Sequence, residues 1–160
     1  APFMPDIDEA GMINQAVSQG HQQTGGFEPV DGYPEQNEDD DDRDFYFNDN
    51  LKIPHVTHVQ GDFRVRGERT VYGIFLIEGN AYLEGNARVR GVLVLPNSSS
   101  TVIHGGGNPK ESSVTGGILT WGTVDGTGNH ISVKFHPEAM RALVKGFVPD
   151  NPPMRVLSWQ

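Results

Sequence analysis

The chain has 160 residues, 36% of them hydrophobic, with 20 glycines, 11 prolines, no cysteine and a formal net charge of −9. The lack of cysteine excludes a disulfide framework, a Cys-ligated zinc site and an iron–sulfur cluster, and no apolar run approaches the roughly 18 residues of a membrane span. The charge is uneven, because residues 1–50 hold 13 of the 21 acidic residues and a single basic residue, Arg43. The sequence therefore predicts an acidic N-terminal arm (1–50) attached to a mildly basic body (51–160).

The arm begins with a helical pattern at residues 6–19, which Gly20 ends. The apolar residues on one side of this short helix are Ile7, Ala10, Ile13, Ala16 and Val17. Residues 20–50 show no periodicity, so we predict an extended chain for the rest of the arm.

A run of carboxylates, Glu38–Asp42, lies in this extended part of the arm. Such a run is typical of a solvated, disordered segment. Because Ca²⁺ prefers oxygen ligands, calcium is the one cofactor that the sequence suggests. Its candidate ligands are Asp39, Asp40, Asp41, Asp42 and Asp44, although their spacing is not that of an EF-hand.

The body is an internal repeat with a glycine every six residues. The glycines are Gly61, Gly67, Gly73, Gly79, Gly85 and Gly91, and an aliphatic residue follows each of them four positions later. A hexapeptide period is typical of a β-solenoid, with glycine at the corners because it tolerates positive φ. Three short strands then form one coil of about 18 residues. We predict an all-β fold, a parallel hexapeptide-type β-solenoid of about three coils, with one short C-terminal helix and the N-terminal acidic arm.

An 18-residue coil predicts which residues stack on each other. Inside, the pairs are Val65–Leu83, Val71–Val89, Ile77–Leu95, Phe63–Ala81 and Phe75–Leu93; outside, they are Arg66–Glu84, Arg64–Tyr82 and Tyr72–Arg90. The outer pairs join opposite charges or place arginine beside an aromatic ring, both of which are favourable between neighbouring strands. Arg69 departs from the inward apolar pattern, so we expect it at an open end of the first coil or turned outward.

The period resumes after an insertion, at Gly116, Gly122 and Gly128. Residues 97–113, which include His104, are rich in Gly, Ser and Asn and predict a long surface loop. We place a third coil at about 114–133, and the start of an incomplete coil at 53–60.

One face of the solenoid is apolar on both sides of its strands, which indicates that both sides are buried. Its outward residues are Ile74, Leu76, Val92 and Val94, and we predict that they form a subunit interface. A cover from within the chain is the alternative, because Pro137 and Gly146 are start and stop signals for a helix at 137–145. A final strand is predicted at about 154–159.

The acidic arm needs a basic surface to pack against. The body offers Arg64, Arg66, Arg69, Arg88 and Arg90. The body of the same chain, a neighbouring subunit or cations can each hold the arm, and we hypothesise that the arm reaches onto an adjacent subunit. The aromatic anchors of that contact would be Phe45, Tyr46 and Phe47. A nucleic-acid partner is not expected, because the arm would repel phosphate.

The stretches VYGIFLIEGNAYLEGNARVRGVLVLP, VTGGILTWGTVDGTGNHISVKFHPEAM and the terminal RVLSWQ resemble the C-terminal domain of PilX-type, prepilin-like pilus proteins. The resemblance covers roughly residues 56–160 and implies a surface-exposed, non-enzymatic component of a pilus or similar filament. Such proteins begin with a long apolar helix, whereas this sequence begins APFMPDIDEAG. We therefore expect either that such a segment was removed or that assembly proceeds differently, with membrane contact only through a segment absent from this chain. The hexads are also similar to those of bactofilins, whose β-helices polymerise end to end.

The function that we predict is a structural subunit of an extracellular or cell-surface filament, with other copies of itself as partners. One alternative is a hexapeptide-repeat enzyme, because the hexads are also similar to those of left-handed acyltransferases and trimeric carbonic anhydrases. Those enzymes use a histidine base or three zinc-ligating histidines. His55 and His58 lie three residues apart, which on a strand places them on opposite faces, so we expect no enzyme. An adhesive surface module is the other alternative.

Overall fold

The computed structural model describes residues 6–34, 47–48, 53–105, 112–125, 131–137 and 147, with the backbone alone at 47–48 and 53–54. These residues form one complete helix, α1 (Glu9–Gln19). The strands are β1 (Gln22–Gln23), β2 (Phe47–Asn48), β3 (Ile53–Pro54), β4 (Val56–Val59), β5 (Phe63–Arg66), β6 (Thr70–Ile77), β7 (Ala81–Glu84), β8 (Arg88–Leu95), β9 (Thr101–Gly105), β10 (Ser112–Thr120), β11 (Thr123–Asp125) and β12 (Ile131–Phe135).

The strands stack in parallel into two long sheets, in the orders β1-β4-β6-β8-β10-β12 and β5-β7-β9-β11. Strands β2 and β3 form a separate antiparallel pair. The long strands β6, β8 and β10 each pass a corner glycine, so the first sheet supplies two faces of every coil and the second sheet the third. The predicted parallel β-solenoid is therefore confirmed, with about four turns instead of three.

The predicted register is confirmed in the central coils. Inside, Val65 pairs with Leu83 and Phe63 with Ala81, while Val71 pairs with Val89 and Phe75 with Leu93. Outside, Arg66 pairs with Glu84, Arg64 with Tyr82 and Tyr72 with Arg90. These inner residues belong to one cluster of fully buried side chains that fills the interior of the solenoid, which we call the lumen. Their burial is a main source of stability, since each large apolar side chain contributes about 1.5–3 kcal/mol.

Glycine is required at the corner between the two faces of the first sheet. Gly73, Gly91 and Gly116 stack on each other, and each has a positive φ. A Cβ atom on Gly91 would lie 1.9 Å from the carbonyl oxygen of Gly73. The coils can approach to strand-pairing distance here only because none of these residues has a side chain.

The prediction of one surface loop over 97–113 was wrong at residues 101–105, which form β9, and at residues 112–113, which begin β10. Val102 pairs with Ala81 and His104 with Leu83, and both Val102 and His104 are buried. The spacing from Ala81 to Val102 is 21 residues instead of 18, because extra residues in the turn before β9 delay the repeat. This stretch therefore does not follow the six-residue glycine period. It keeps the alternation of buried and partly exposed side chains that is typical of a strand.

The predicted helix at 6–19 is confirmed as α1, which starts three residues later. The side chain of Asp8 accepts a hydrogen bond from the N–H of Gly11, and Gly20 ends the helix in a left-handed conformation with φ 76°. The predicted buried side was partly wrong, because Met12 and Ala16 are the buried residues, while Val17 is 52% exposed.

Residues 21–34, which we predicted to be extended and outside the repeat, form the first coil of the solenoid, here called the cap coil. Gln22 and Gln23 pair with β4, Phe27 bridges to Phe63, and the carbonyl oxygen of Tyr33 accepts the N–H of Tyr72. The cap coil thus covers all three faces of the coil that follows it.

The C-terminal predictions fall mostly outside the described residues. Pro137 and Phe147 both have helical backbone, but 138–146 are not described, so the helix at 137–145 stays a prediction. The final strand at 154–159 also lies outside the described residues.

Replacing Gly91 with alanine is expected to lower the free energy of unfolding by about 3 kcal/mol or more, through the steric clash and the positive φ together. The control is Gly67→Asn, because Gly67 has a φ of 68° with no atom within 4 Å of its Cβ position, and asparagine tolerates this conformation. Urea unfolding measures both. Equal losses at the two sites would contradict the close stacking of the corner glycines.

Candidate functional site

The N-terminal end of the lumen is closed by aromatic side chains of the cap coil. The ring of Tyr33 lies 5.1 Å from that of Phe27 and 6.3 Å from that of Phe75, between centroids. The Tyr33 hydroxyl is 2.9 Å from the hydroxyl oxygen of Thr57. Burial raises the pKa of Tyr33 above its ordinary value of 10.0, and the hydrogen bond with Thr57 opposes that rise.

Acidic residues of the cap coil contact arginines of the body within the same chain. A carboxylate oxygen of Glu28 lies 3.0 Å from Nε of Arg66, and the other lies 3.6 Å from Nη1 of Arg69. Arg69 also donates to the carbonyl oxygen of Pro29 at 3.1 Å. Arg69 is therefore turned outward onto the cap coil, which is one of its two predicted placements. The part of the arm that the structure describes packs on its own body.

The apolar face, Ile74, Leu76, Val92 and Val94, is covered within the chain. These residues are buried together with Met12 and Ala16 of α1 and with Phe147. The N–H of Asp8 donates to the carbonyl oxygen of Phe147 at 2.6 Å, which joins the two covering segments. We predicted a subunit interface here because the face needed a cover. Since α1 supplies that cover, the burial of this face no longer indicates a contact with a neighbouring subunit.

The C-terminal end of the lumen is open among the described residues. Val124 pairs with the buried Val102, and Val133 pairs with the buried Val114, so both occupy lumen positions. Nevertheless Val124 is 47% and Val133 48% exposed, and the neighbouring Phe135 is 50% exposed. The last described coil thus has apolar inner residues that no further described coil covers.

The outer arginines predicted at the interface divide between two faces. Arg64 and Arg66 are paired within the chain: the Arg64 guanidinium lies 4.4 Å from the centre of the Tyr82 ring and bonds to Glu84, and Arg66 lies 3.4 Å from Glu84. On the neighbouring face, Arg88 and Arg90 line an open groove of about 510 Å³. We call this the basic groove; its lining residues are Asp31, Glu68, Thr70, Tyr72, Arg88, Arg90, Ser113, Thr115 and Lys134.

The histidines do not assemble a metal centre in the described part of the chain. His58 is buried on the outer side of β4, where it contacts the Glu78 carboxylate and, through Nδ1 at 3.1 Å, the amide nitrogen of Gln22. His104 lies in the lumen, and its Nε2 accepts the N–H of Ser112. No group of three His, Asp or Glu side chains with metal-binding geometry occurs among the described residues.

Several predicted site residues lie outside the described residues. The calcium candidates Asp39, Asp40, Asp41, Asp42 and Asp44 and the aromatic anchors Phe45 and Tyr46 are among them, and only the backbone of Phe47 is described, in β2. The calcium site and the aromatic anchors stay predictions.

Neither the family models, the curated proteins nor the solved structures contain a match to this chain. Among the described helices, none has the length and apolar character that crossing a membrane requires.

Met12→Ala is expected to destabilise the protein by about 2–4 kcal/mol, because it removes a fully buried side chain from beneath α1. Val17→Ala on the same helix is the matched control and should change stability by less than about 0.5 kcal/mol, since Val17 is half exposed. Urea unfolding of the monomer measures both. If Met12→Ala is as neutral as the control, α1 does not cover the apolar face.

Tyr33 is expected to ionise above pH 10.0, its ordinary value. The unfolded chain loses the Tyr33 proton first as the pH rises, so the contribution of Tyr33 to the free energy of unfolding is fully present well below pH 10.0 and is lost as the pH rises through the raised pKa of the folded state. Phenolate absorbance, titrated for the wild type and for Tyr33→Phe, isolates this residue by difference. A difference curve with its midpoint at or below 10.0 would show that the phenol is not buried by the cap coil.

Proposed function

We propose that this protein is a structural, non-enzymatic subunit of an extracellular filament or similar surface polymer, assembled by stacking solenoids end to end. The observation that carries the proposal is that the C-terminal end of the lumen is open among the described residues, where Val124 and Val133 are half exposed. Apolar side chains at lumen positions are normally covered by the next coil of a solenoid. A neighbouring copy can supply that coil.

The two ends of the solenoid differ, which favours a linear polymer. Among the described residues, the N-terminal end presents the outer edge of the short strand β1 and the exposed Val30, while the C-terminal end presents β12 and the open lumen. A contact between two different surfaces of the same molecule is head-to-tail, and it produces a filament unless the rotation between copies closes a ring. The resemblance of the hexads to pilus proteins and bactofilins also supports this proposal.

The test is a charge placed in the open lumen, by Val133→Lys. Burying an unpaired ammonium group between subunits costs several kcal/mol, so we expect self-association to weaken at least about 100-fold. Val17→Lys is the matched control, because Val17 is similarly exposed but lies on α1 and not at the C-terminal end of the lumen. Sedimentation velocity over a concentration series and negative-stain microscopy follow the assembly.

Two results would contradict the proposal. The first is a wild-type protein that stays monomeric at every accessible concentration. The second is a Val133→Lys variant that loses stability in urea as a monomer while its association is unchanged. That outcome would mean that residues C-terminal to β12 cover the lumen within the chain.

A further inference from the structure

The turn between β8 and β9, residues 96–100, is longer than the turns stacked on either side of it. Those turns are residues 78–80, between β6 and β7, and residues 121–122, between β10 and β11. Ser100 belongs to the stack, since its hydroxyl donates to the carbonyl oxygen of Glu78 at 3.2 Å and its own carbonyl oxygen accepts the N–H of Thr123. Residues 97–99 are exposed, so the extra length of this turn projects from the side wall of the solenoid.

The exposed residues of this turn are Asn97-Ser98-Ser99, which is an Asn-X-Ser sequon for an N-linked glycan. It is the single Asn-X-Ser/Thr triplet in the 160 residues, and neither Ser98 nor the residue after the triplet is proline. A sequon becomes an acceptor site where its asparagine is accessible on a surface loop. The long turn provides that accessibility.

The turn also holds the side-chain amide of Asn97 in one orientation. Its Oδ1 accepts the backbone N–H of Ser99 at 3.1 Å and the hydroxyl of Ser99 at 2.9 Å. Because a backbone N–H can only donate, the atom that faces Ser99 is the oxygen, and Nδ2 is on the opposite side of the amide. No hydrogen bond of Nδ2 occurs within the described part of the chain. The atom that a glycan would be attached to is therefore accessible.

The two hydrogen bonds to Oδ1 favour reaction at Nδ2. An amide nitrogen is a weak nucleophile, because its lone pair is delocalised onto the oxygen. Removal of a proton from Nδ2 places negative charge on Oδ1, and hydrogen bonds to an ionised acceptor are roughly twice as strong as neutral ones. Ser99, the residue that the sequon requires, thus positions and activates the amide of Asn97 in the folded turn.

We propose that Asn97 is an acceptor site for an N-linked oligosaccharide, which an oligosaccharyltransferase transfers from a lipid diphosphate carrier. Nδ2 forms a bond to the anomeric carbon of the first sugar. The bond from that carbon to the diphosphate oxygen breaks, and the lipid diphosphate leaves with the electron pair. Nδ2 gives one proton to a base of the transferase, so a glycosylated amide remains. The site lies on the side wall of the solenoid and does not rest on the end-to-end assembly proposed above.

The test is glycosylation of the purified, folded full chain. The chain is incubated with a single-subunit oligosaccharyltransferase and a lipid-diphosphate-linked oligosaccharide, and mass spectrometry of the intact chain and of its peptides locates and quantifies the product. A synthetic peptide with the sequence of residues 95–101 is the unstructured acceptor. We expect Asn97 in the chain to react at least as fast as in the peptide, and Asn97→Gln to give no product.

Substitutions within the turn test the role of the Ser99 hydroxyl. Ser99→Ala is expected to slow the transfer by about tenfold or more, because it removes a hydrogen bond to a group that becomes charged. Ser99→Thr keeps the hydroxyl and restores the rate. Ser98→Ala is the matched control, since Ser98 lies in the same turn and is also exposed. The ratio of the rates of chain and peptide separates the effect of the turn from the recognition of the sequon by the enzyme. Circular dichroism and melting temperature check the fold of each variant.

Three results overturn the proposal. If the peptide is modified and the folded chain is not, the turn withholds Asn97 from the enzyme. If neither is modified by an enzyme preparation that modifies a reference sequon peptide, Asn97 is not an acceptor. If Ser98→Ala slows the transfer as much as Ser99→Ala, the Ser99 hydroxyl does not activate the amide. All three are measured on the purified chain, so they are independent of whether the protein forms filaments.

Discussion

Each coil of a parallel β-solenoid leaves two things for its neighbour to cover, the polar backbone groups along its edge and the apolar side chains in its lumen. At the N-terminal end this chain supplies the cover itself. The cap coil pairs with the backbone of the following coil, and Phe27 and Tyr33 close the lumen. Helix α1 then covers the apolar face outside. At the C-terminal end, Val124 and Val133 occupy lumen positions, but no further described coil covers them.

The separation of charge along the sequence has a structural explanation in the described residues. Residues 6–34 of the acidic arm are not a free segment, because α1 and the cap coil belong to the fold and Glu28 pairs with Arg66 and Arg69. The densest part of the negative charge in the sequence, Glu38–Asp44, lies outside the described residues.

The repeat made the central coils predictable, including the pairs Arg64–Tyr82 and Arg66–Glu84, because six glycines in phase determine the register of every residue between them. Prediction failed where that phase was lost. Strand β9 is displaced by the longer turn that precedes it. The cap coil has glycines six residues apart, Gly20, Gly26 and Gly32, but only Gly26 is followed four positions later by an aliphatic residue, Val30. The prediction of an interface at the apolar face rested on a different kind of pattern. The two-sided apolar pattern correctly indicated a cover, but a pattern in one strand does not identify the segment that covers it.

The central claim is that the cap coil is formed by the chain on its own body, and amide hydrogen exchange at dilutions where the protein is monomeric tests it directly. The N–H of Phe27 bonds to the carbonyl oxygen of Asp62, and that of Arg64 bonds to the carbonyl oxygen of Phe27. We predict that both amides are protected at every concentration, with the slow exchange of a packed coil. Exchange at the rate of an unstructured peptide in the monomer, with protection appearing only as subunits associate, would contradict it and would mean that a neighbouring subunit orders this segment.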